Sequence, residues 1–373
     1  MKIALKLIFI VLAGCFLTAG YFVFERFKSN PEQVFPYPYA FKTQGKAIKL
    51  DAPILIVGDR MGAYFSKFSS ELAAAISVNL SKPIKIQSLA TQGHGLHRTL
   101  HELNSLVQWP QIIIYQGASE EFKELKFNPK NAHIIKKNIS IYRDDRIETA
   151  LILYPWLSRF IYDPHSRISL EESPVIIEEI PEENYVARLE TELLLFEQQL
   201  IQLVNLSKDR NSLLILTTTP LNLDIAPKKS CEFSVTIDLE KDLRDIEDLM
   251  KADNPKAAYA SSSKLIKLYA GNPRLYFIHG QISKRLGLID EAKRSILQAS
   301  AFDCSPWRAN EIYNSIIRKV ARNHQVILFD FAKLLENEWT NNTTFFDEIY
   351  PQNLYYDQGM NQLGLVIKQI LKL

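Results

Sequence analysis

Net charge is almost absent from this chain: 44 lysines and arginines stand against 42 aspartates and glutamates, leaving +2 over 373 residues. No global field draws it to nucleic acid or anionic lipid, so DNA and RNA find no support as partners. Cysteine is scarce too, with only Cys15, Cys231 and Cys304, which allows a single bridge and no disulfide framework. Histidine is limited to seven residues. His94, His97 and His101 cluster, and the last two share a helix face at i, i+4 spacing, but no neighbouring acid or cysteine completes a metal site with specificity. They read as surface or packing histidines, and no metal or cofactor is expected. Disorder is excluded by what the chain does contain, since 47% hydrophobic and 11% aromatic residues suffice for one large core or two modest ones.

Residues 7 to 24 carry no charge. As a helix they would span ~27 Å, nearly a bilayer core. Lys2 and Lys6 precede this run and Arg26 and Lys28 follow it, a mild bias that favours a cytoplasmic N-terminus and an extracytoplasmic body. The favoured reading is an uncleaved signal anchor over 1–28. Leu12-Ala13-Gly14-Cys15 also has the form of a lipoprotein processing site, which would make Cys15 the lipidated residue, and ordinary signal cleavage is a third reading. All three export the domain to the periplasmic side of a bacterial inner membrane. There Cys231 and Cys304 would sit in an oxidising compartment, where a pair persists as a disulfide.

Residues 29–50, with Pro31, Pro36 and Pro38, read as a linker or a first strand-like wrap. From Pro53 the chain alternates buried strands with amphipathic helices. Strands are predicted at Ile54-Leu55-Ile56-Val57, at 84–89, at 111–115, at 212–216 and at Val326-Ile327-Leu328-Phe329. Helices are predicted at 65–80, 96–107, 184–206, 307–323 and 361–371. Such alternation implies an α/β fold with a three-layer, flavodoxin-like parallel sheet, because parallel crossovers need helices. Sites in such sheets lie at the C-terminal strand ends. The acidic stretch containing Glu171, Glu172, Glu178, Glu179, Glu182 and Glu183 reads as a solvated loop.

Four short motifs follow the first four strands: Gly58-Asp59-Arg60, Gly93-His94-Gly95, Gly117-Ala118-Ser119-Glu120 and Thr217-Thr218-Thr219-Pro220. A closing block runs from Asp357 through Gly359 and Asn361 to Gly364. In order and placement these blocks resemble those of the SGNH/GDSL hydrolases, over residues 51–245 and 305–373. The resemblance implies that Arg60 stands in the serine nucleophile position and Gly359 in the histidine position. An arginine is not deprotonated to attack a carbonyl, and glycine has no side chain to carry a proton. The resemblance further implies an oxyanion hole built from the backbone N–H of residue 60, a glycine N–H at Gly95 or Gly93, and an amide two residues after Gly117, where Ser119 stands. Asp357 would be the acid that orients the missing base, free here to pair with Arg60; the alternative is an Arg60 that points to solvent and an Asp357 that caps the final helix. Asp347-Glu348-Ile349-Tyr350-Pro351 offers a second register for the final block, with Tyr350 in the histidine position.

Between these parts, residues 246–304 form a predicted helical insertion. Gly280, Gly287, Ala292 and Ala299 recur with the spacing of a tetratricopeptide repeat, which the segment resembles, and a helix near 256–269 adds half of another. A lone repeat cannot bury its apolar face, so the insertion should dock on the main domain or on another protein. Cys231 and Cys304 flank it, and a bridge between them would fasten its neck; two separately buried thiols are the alternative.

The expectation is a membrane-anchored, extracytoplasmic pseudo-hydrolase, acting as a noncatalytic binding or scaffold component of a cell-envelope assembly. Its partners would be envelope or membrane proteins met through the insertion, with a glycan as a candidate ligand of the residual cleft. The alternative is an SGNH-type esterase or acyltransferase acting on envelope carbohydrate esters.

Overall fold

The computed structural model describes residues 2–29, 47–77, 83–124, 132–142, 146–147, 149–150, 154, 185–230, 237–304 and 307–371. In chain order the described elements begin with α1 (Lys2–Ser29), β1 (Ile54–Gly58), α2 (Arg60–Phe65), α3 (Ser69–Ser77), β2 (Ile86–Ser88), α4 (Leu96–Asn104) and β3 (Ile112–Gln116). They continue with α5 (Ala132–Tyr142), α6 (Tyr185–Asp209), β4 (Leu213–Thr217), α7 (Ile237–Lys251), α8 (Pro255–Leu268), α9 (Pro273–Arg285) and α10 (Ile289–Ala301). The chain ends with α11 (Glu311–Asn323), β5 (Ile327–Phe329), α12 (Phe331–Glu338) and α13 (Asn353–Leu371).

Two compact units are present: Met1–Lys42 with Lys126–Ser173, and Thr43–Leu125 with Pro174–Leu373. The first contains α1 and α5. In α1 the side chains are described at Lys6 and over residues 11–23, where Phe16 and Leu17 are exposed. No helix among the described residues is long and apolar enough to cross a membrane.

The second unit holds a five-stranded sheet in the order β2-β1-β3-β4-β5, every pair parallel. This is the strand order of flavodoxin-like doubly wound sheets. The central strands are unbroken apolar runs because both of their faces are covered. Leu55, Val57, Ile113, Tyr115, Leu214 and Leu216 pack in one layer with α4, α6 and α11. Ile54, Ile56, Ile112, Ile114 and Ile215 pack in the other with α3, α12 and α13. The alternation within each run is the side-chain period of a strand.

Several boundaries differ from expectation for identifiable reasons. The helix expected over 65–80 starts earlier, at Arg60, because the Asp59 side chain caps it, and a 3₁₀ turn at Ser66–Phe68 separates α2 from α3. The helix expected from 307 starts at Glu311, where the Asn310 side chain accepts from the Ile312 N–H at 2.9 Å. The last helix starts at Asn353, eight residues before the expected Asn361. Of the linker over 29–50, Ile48 is bonded on both sides to the end of α4: its N–H donates to Ser105 O at 2.9 Å and its carbonyl accepts from the Val107 N–H at 3.0 Å.

The helical segment is larger than one and a half repeats. α7 and α8 form a first hairpin and α9 and α10 a second, around a core of Leu239, Leu243, Ile246, Ala258, Leu265, Leu275 and Ile282. At its neck Ser230 bridges Asp303, the Cys304 N–H donates to Lys229 O at 3.0 Å, and the Asp303 carboxylate accepts from the N–H groups of Lys228 and Lys229 at 3.2 and 3.1 Å. Cys304 is disulfide-bonded, Cys15 is a free, exposed thiol, and Cys231 lies outside the described residues. The acidic stretch over 171–183 also lies outside them.

Candidate functional site

The sheet order reverses between β1 and β3, and at that switch point an open α/β sheet leaves a crevice beyond its strand ends. The chain turns tightly there. Gly58 adopts φ +138°, and its Cα faces the Gln116 carbonyl of β3 so closely that no Cβ fits. Asp59 follows, 1% exposed. Its Oδ1 accepts from the Met61 N–H at 2.9 Å, and its Oδ2 accepts from the Ser119 N–H at 2.5 Å, the Ser119 hydroxyl at 2.8 Å and the Glu120 N–H at 2.9 Å. Ala118 takes φ +75°, a left-handed conformation that a non-glycine residue keeps only when its surroundings hold it. The payoff is that two successive N–H groups converge on Asp59.

Burial pushes the Asp59 carboxyl up to about 7; the Glu120 charge adds to the rise, and the hydrogen bonds from Ser119 and Met61 oppose it. Ser119 is therefore an anchor for this turn, with its hydroxyl proton directed at a carboxylate.

Glu120 is the centre of the site. Its carboxylate is 1% exposed, and Oε2 accepts from the Gly93 N–H at 2.7 Å and the Arg60 N–H at 3.2 Å. Oε1 accepts from Lys123 Nζ at 2.9 Å and lies 3.7 Å from Arg60 Nε. Burial raises this carboxyl, but the Gly93 N–H, Lys123 and Arg60 together outweigh that and hold it below its ordinary value. It is an anion at neutral pH, cradled by two backbone donors and two cations. The guanidinium of Arg60 also donates to the Trp307 carbonyl at 3.4 Å.

The expected Arg60–Asp357 pair is not formed. The acidic partner of Arg60 among the described residues is Glu120, and Asp357 lies half-buried within α13. Of the two glycines proposed for the second block, Gly93 is the one whose N–H donates to Glu120. Gly95 instead caps α4, and the next N–H, that of Leu96, goes to Glu121 Oε1 at 2.8 Å. The Glu124 and Glu121 carboxylates crowd the Gly95 Cα, leaving no room for a Cβ. Gly117 sits over the Tyr115 hydroxyl, 2.6 Å from where its Cβ would be.

The closing block has a structural use. Gly359 packs on Phe331, whose Cε2 lies 2.7 Å from the place of a Cβ, and Gly364 packs on Ala75 of α3 in the same way at 2.6 Å. Asn361 is exposed. Asp357, Gly359 and Asn361 thus lie along α13, whereas the second register falls in the loop before it. Tyr350, in the loop before α13, responds to the charges of both Arg60 and Glu120. Burial raises its phenol above the ordinary value, Arg60 lowers it, and Glu120 and Asp347 raise it further, so it is neutral at physiological pH.

Sequence reasoning missed a hydroxyl–imidazole–carboxylate chain in the helical hairpins. Ser262 Oγ lies 2.8 Å from His279 Nδ1, and His279 Nε2 lies 3.1 Å from Glu291 Oε1, which also accepts from the Tyr259 hydroxyl at 2.7 Å. Ser262 has no exposed surface and His279 is 4% exposed, so no substrate reaches this hydroxyl. The chain joins three helices from inside. Also missed was the network at the end of β4: Asn314 forms two bonds to the backbone of Thr219, at 2.8 and 2.9 Å. Nearby, Arg318 forks onto Asp330 at 2.8 and 3.1 Å and contacts Glu311. This clamp holds α11 and β5 to the strand end.

His94 Nδ1 lies 3.3 Å from Glu102, and among the described residues no group of three or more histidines, cysteines and acids is arranged to hold a metal. Beside Ser119 the space narrows to a pocket walled by Ala118, Cys304, Arg308 and Asn310, with room for about one or two waters. No family model matches this chain, and no curated protein or solved structure matches it.

Proposed function

We propose that this chain is a noncatalytic binding and scaffold component of a bacterial cell-envelope assembly, built on an SGNH-type domain whose reaction centre is closed by its own carboxylate. One observation carries the reading: Glu120 accepts from the backbone N–H groups of Arg60 and Gly93, the two donors that would cradle an acyl oxyanion in such a hydrolase. An ionised side chain in that place is both an occupant and an electrostatic barrier to a second anion. The rest of the site agrees. Arg60 is no nucleophile, Ser119 spends its proton on Asp59, and the neutral phenol of Tyr350 is a poor base at physiological pH.

The location belongs to the same proposal. The uncharged run over 7–24 within α1 supports an N-terminal anchor over 1–28, with the main domain periplasmic, and the free Cys15 keeps the lipoprotein alternative in place. A disulfide at Cys304 is what an oxidising compartment permits. The outer side of α8 carries Lys256, Lys264 and Lys267, all exposed, and offers a contact surface for envelope or membrane proteins.

Two measurements test this. The purified chain should hydrolyse p-nitrophenyl acetate no faster than buffer; turnover that disappears in Ser119→Ala would replace the proposal with an SGNH-type esterase or acyltransferase. Copurification from solubilised membranes should recover a partner that is lost when Lys256, Lys264 and Lys267 are changed to glutamate, and recovery of a free monomer alone would count against a scaffold.

A further inference from the structure

Beside the closed hole a shallow groove opens, lined by Tyr64, Phe346, Gln352, Asn353 and Leu354. It is rigid. Phe346 stacks nearly parallel to Tyr350, at 12° and 6.0 Å between centroids, and Tyr350 lies 4.6 Å from Tyr64. Tyr64 rests in turn on Phe68 and Tyr356, which stack on each other at 4.7 Å. The loop that carries Phe346 is fixed by its N–H to Tyr350 O at 3.1 Å, by the Gln352 N–H to Thr344 O at 3.0 Å, and by the Asp347 carboxylate, which accepts from the N–H groups of Ile349 and Tyr350.

Phe346 nonetheless leaves 60% of its surface in water. A ring already held in place loses little freedom when something stacks on it. Its neighbours are uncharged amides. Gln352 makes no side-chain hydrogen bond among the described residues, and Asn353 uses its Oδ1 to accept from the Tyr64 hydroxyl at 3.2 Å, which leaves its N–H groups to donate.

We infer that this groove binds a neutral glycan, with the apolar C–H face of one sugar ring on Phe346 and adjacent hydroxyls on the amides of Gln352 and Asn353. The Gln352 amide offers a donor and an acceptor side by side, the pairing that vicinal hydroxyls present, and the Asn353 N–H groups add donors. A proline-rich peptide would also stack on exposed rings, but its carbonyls only accept, so it has no donor for the Gln352 Oε1. The inference rests on the noncatalytic reading, since the sugar is held and not cut.

Chitotetraose, cellotetraose and a ten-residue polyproline peptide, each titrated into the full detergent-purified chain and followed by saturation-transfer NMR, provide the test. We expect saturable binding of at least one tetrasaccharide, weakened about tenfold in Phe346→Ala, the scale of a lost aromatic contact, and weakened also in Gln352→Ala, with melting temperatures unchanged. Binding of neither tetrasaccharide, equal affinity in Phe346→Ala, or binding of polyproline alone would overturn it. Any of these would leave the esterase result, and with it the closed hole, untouched.

Discussion

Replacing Glu120 with alanine is the sharpest perturbation of the site at the switch point. The substitution removes the acceptor of the Gly93 and Arg60 N–H groups and the counter-charge of Lys123 and Arg60, whose side chains are 20% and 12% exposed. Leaving a buried donor without an acceptor costs about 1–3 kcal/mol, and breaking a buried ion pair by removing one partner about 3–5 kcal/mol. One contribution opposes this: Asp59 loses the neighbouring charge that helps to raise its carboxyl. A net loss of about 3 kcal/mol is expected, a large share of the ~5–15 kcal/mol that holds a folded domain. Urea unfolding followed by circular dichroism measures it. The hole should also accept a replacement anion, so acetate at ten times its dissociation constant should return about 1.4 kcal/mol to Glu120→Ala and nothing to the parent. Glu120→Gln, which keeps an acceptor but loses the charge, should fall between the two. A loss under ~1 kcal/mol for alanine, or equal stabilisation of both proteins by acetate, would refute the assignment of Glu120 as the occupant.

Three further outcomes follow from the same geometry. The Asp59 carboxyl stands near 7 when folded against 3.8 ordinarily, so its contribution to stability is complete below about pH 4 and is lost as pH rises towards 7, by at most about 4 kcal/mol; Asp59→Asn should flatten this slope between pH 4 and 7, and an unchanged slope in urea midpoints would contradict it. Gly359→His forces an imidazole against Phe331 and should cost about 1–3 kcal/mol or more, whereas Tyr350→His in the half-buried loop should cost less in the same denaturation assay, and the reverse order would restore the first register. Alkylation before and after reduction, read by intact mass, should show Cys231 and Cys304 protected together until reductant is added; reduction should then lower stability by about 4 kcal/mol for a loop of roughly 70 residues, and modification of Cys231 without reductant would exclude the bridge.

Much of this fold was legible because its strands are buried on both sides. Apolar runs such as Ile54 to Val57 and Ile112 to Tyr115 have one common explanation, a covered parallel sheet, and their ends located Asp59, Arg60 and Ser119 at the switch point. Through the closing block Tyr356, Met360, Leu363 and Ile367 run at helical spacing, which marks the interior of α13 and places its start well before Asn361. α7 was not read, although Leu239, Leu243 and Ile246 carry its helical spacing. Glu120 was not, since Ser-Glu-Glu reads as a solvated turn until the left-handed Ala118 swings it inward. Nor were the contacts of Ser262, His279 and Glu291, which meet from three separate helices. Glu120 nevertheless has a physical reason to stand where it does. Converging N–H groups such as those of Arg60 and Gly93 have to be satisfied by something. An ionised acceptor beside two cations satisfies them best, and Glu120 with Lys123 and Arg60 is that arrangement. On the noncatalytic reading proposed above, this carboxylate is what a second anion would have to displace.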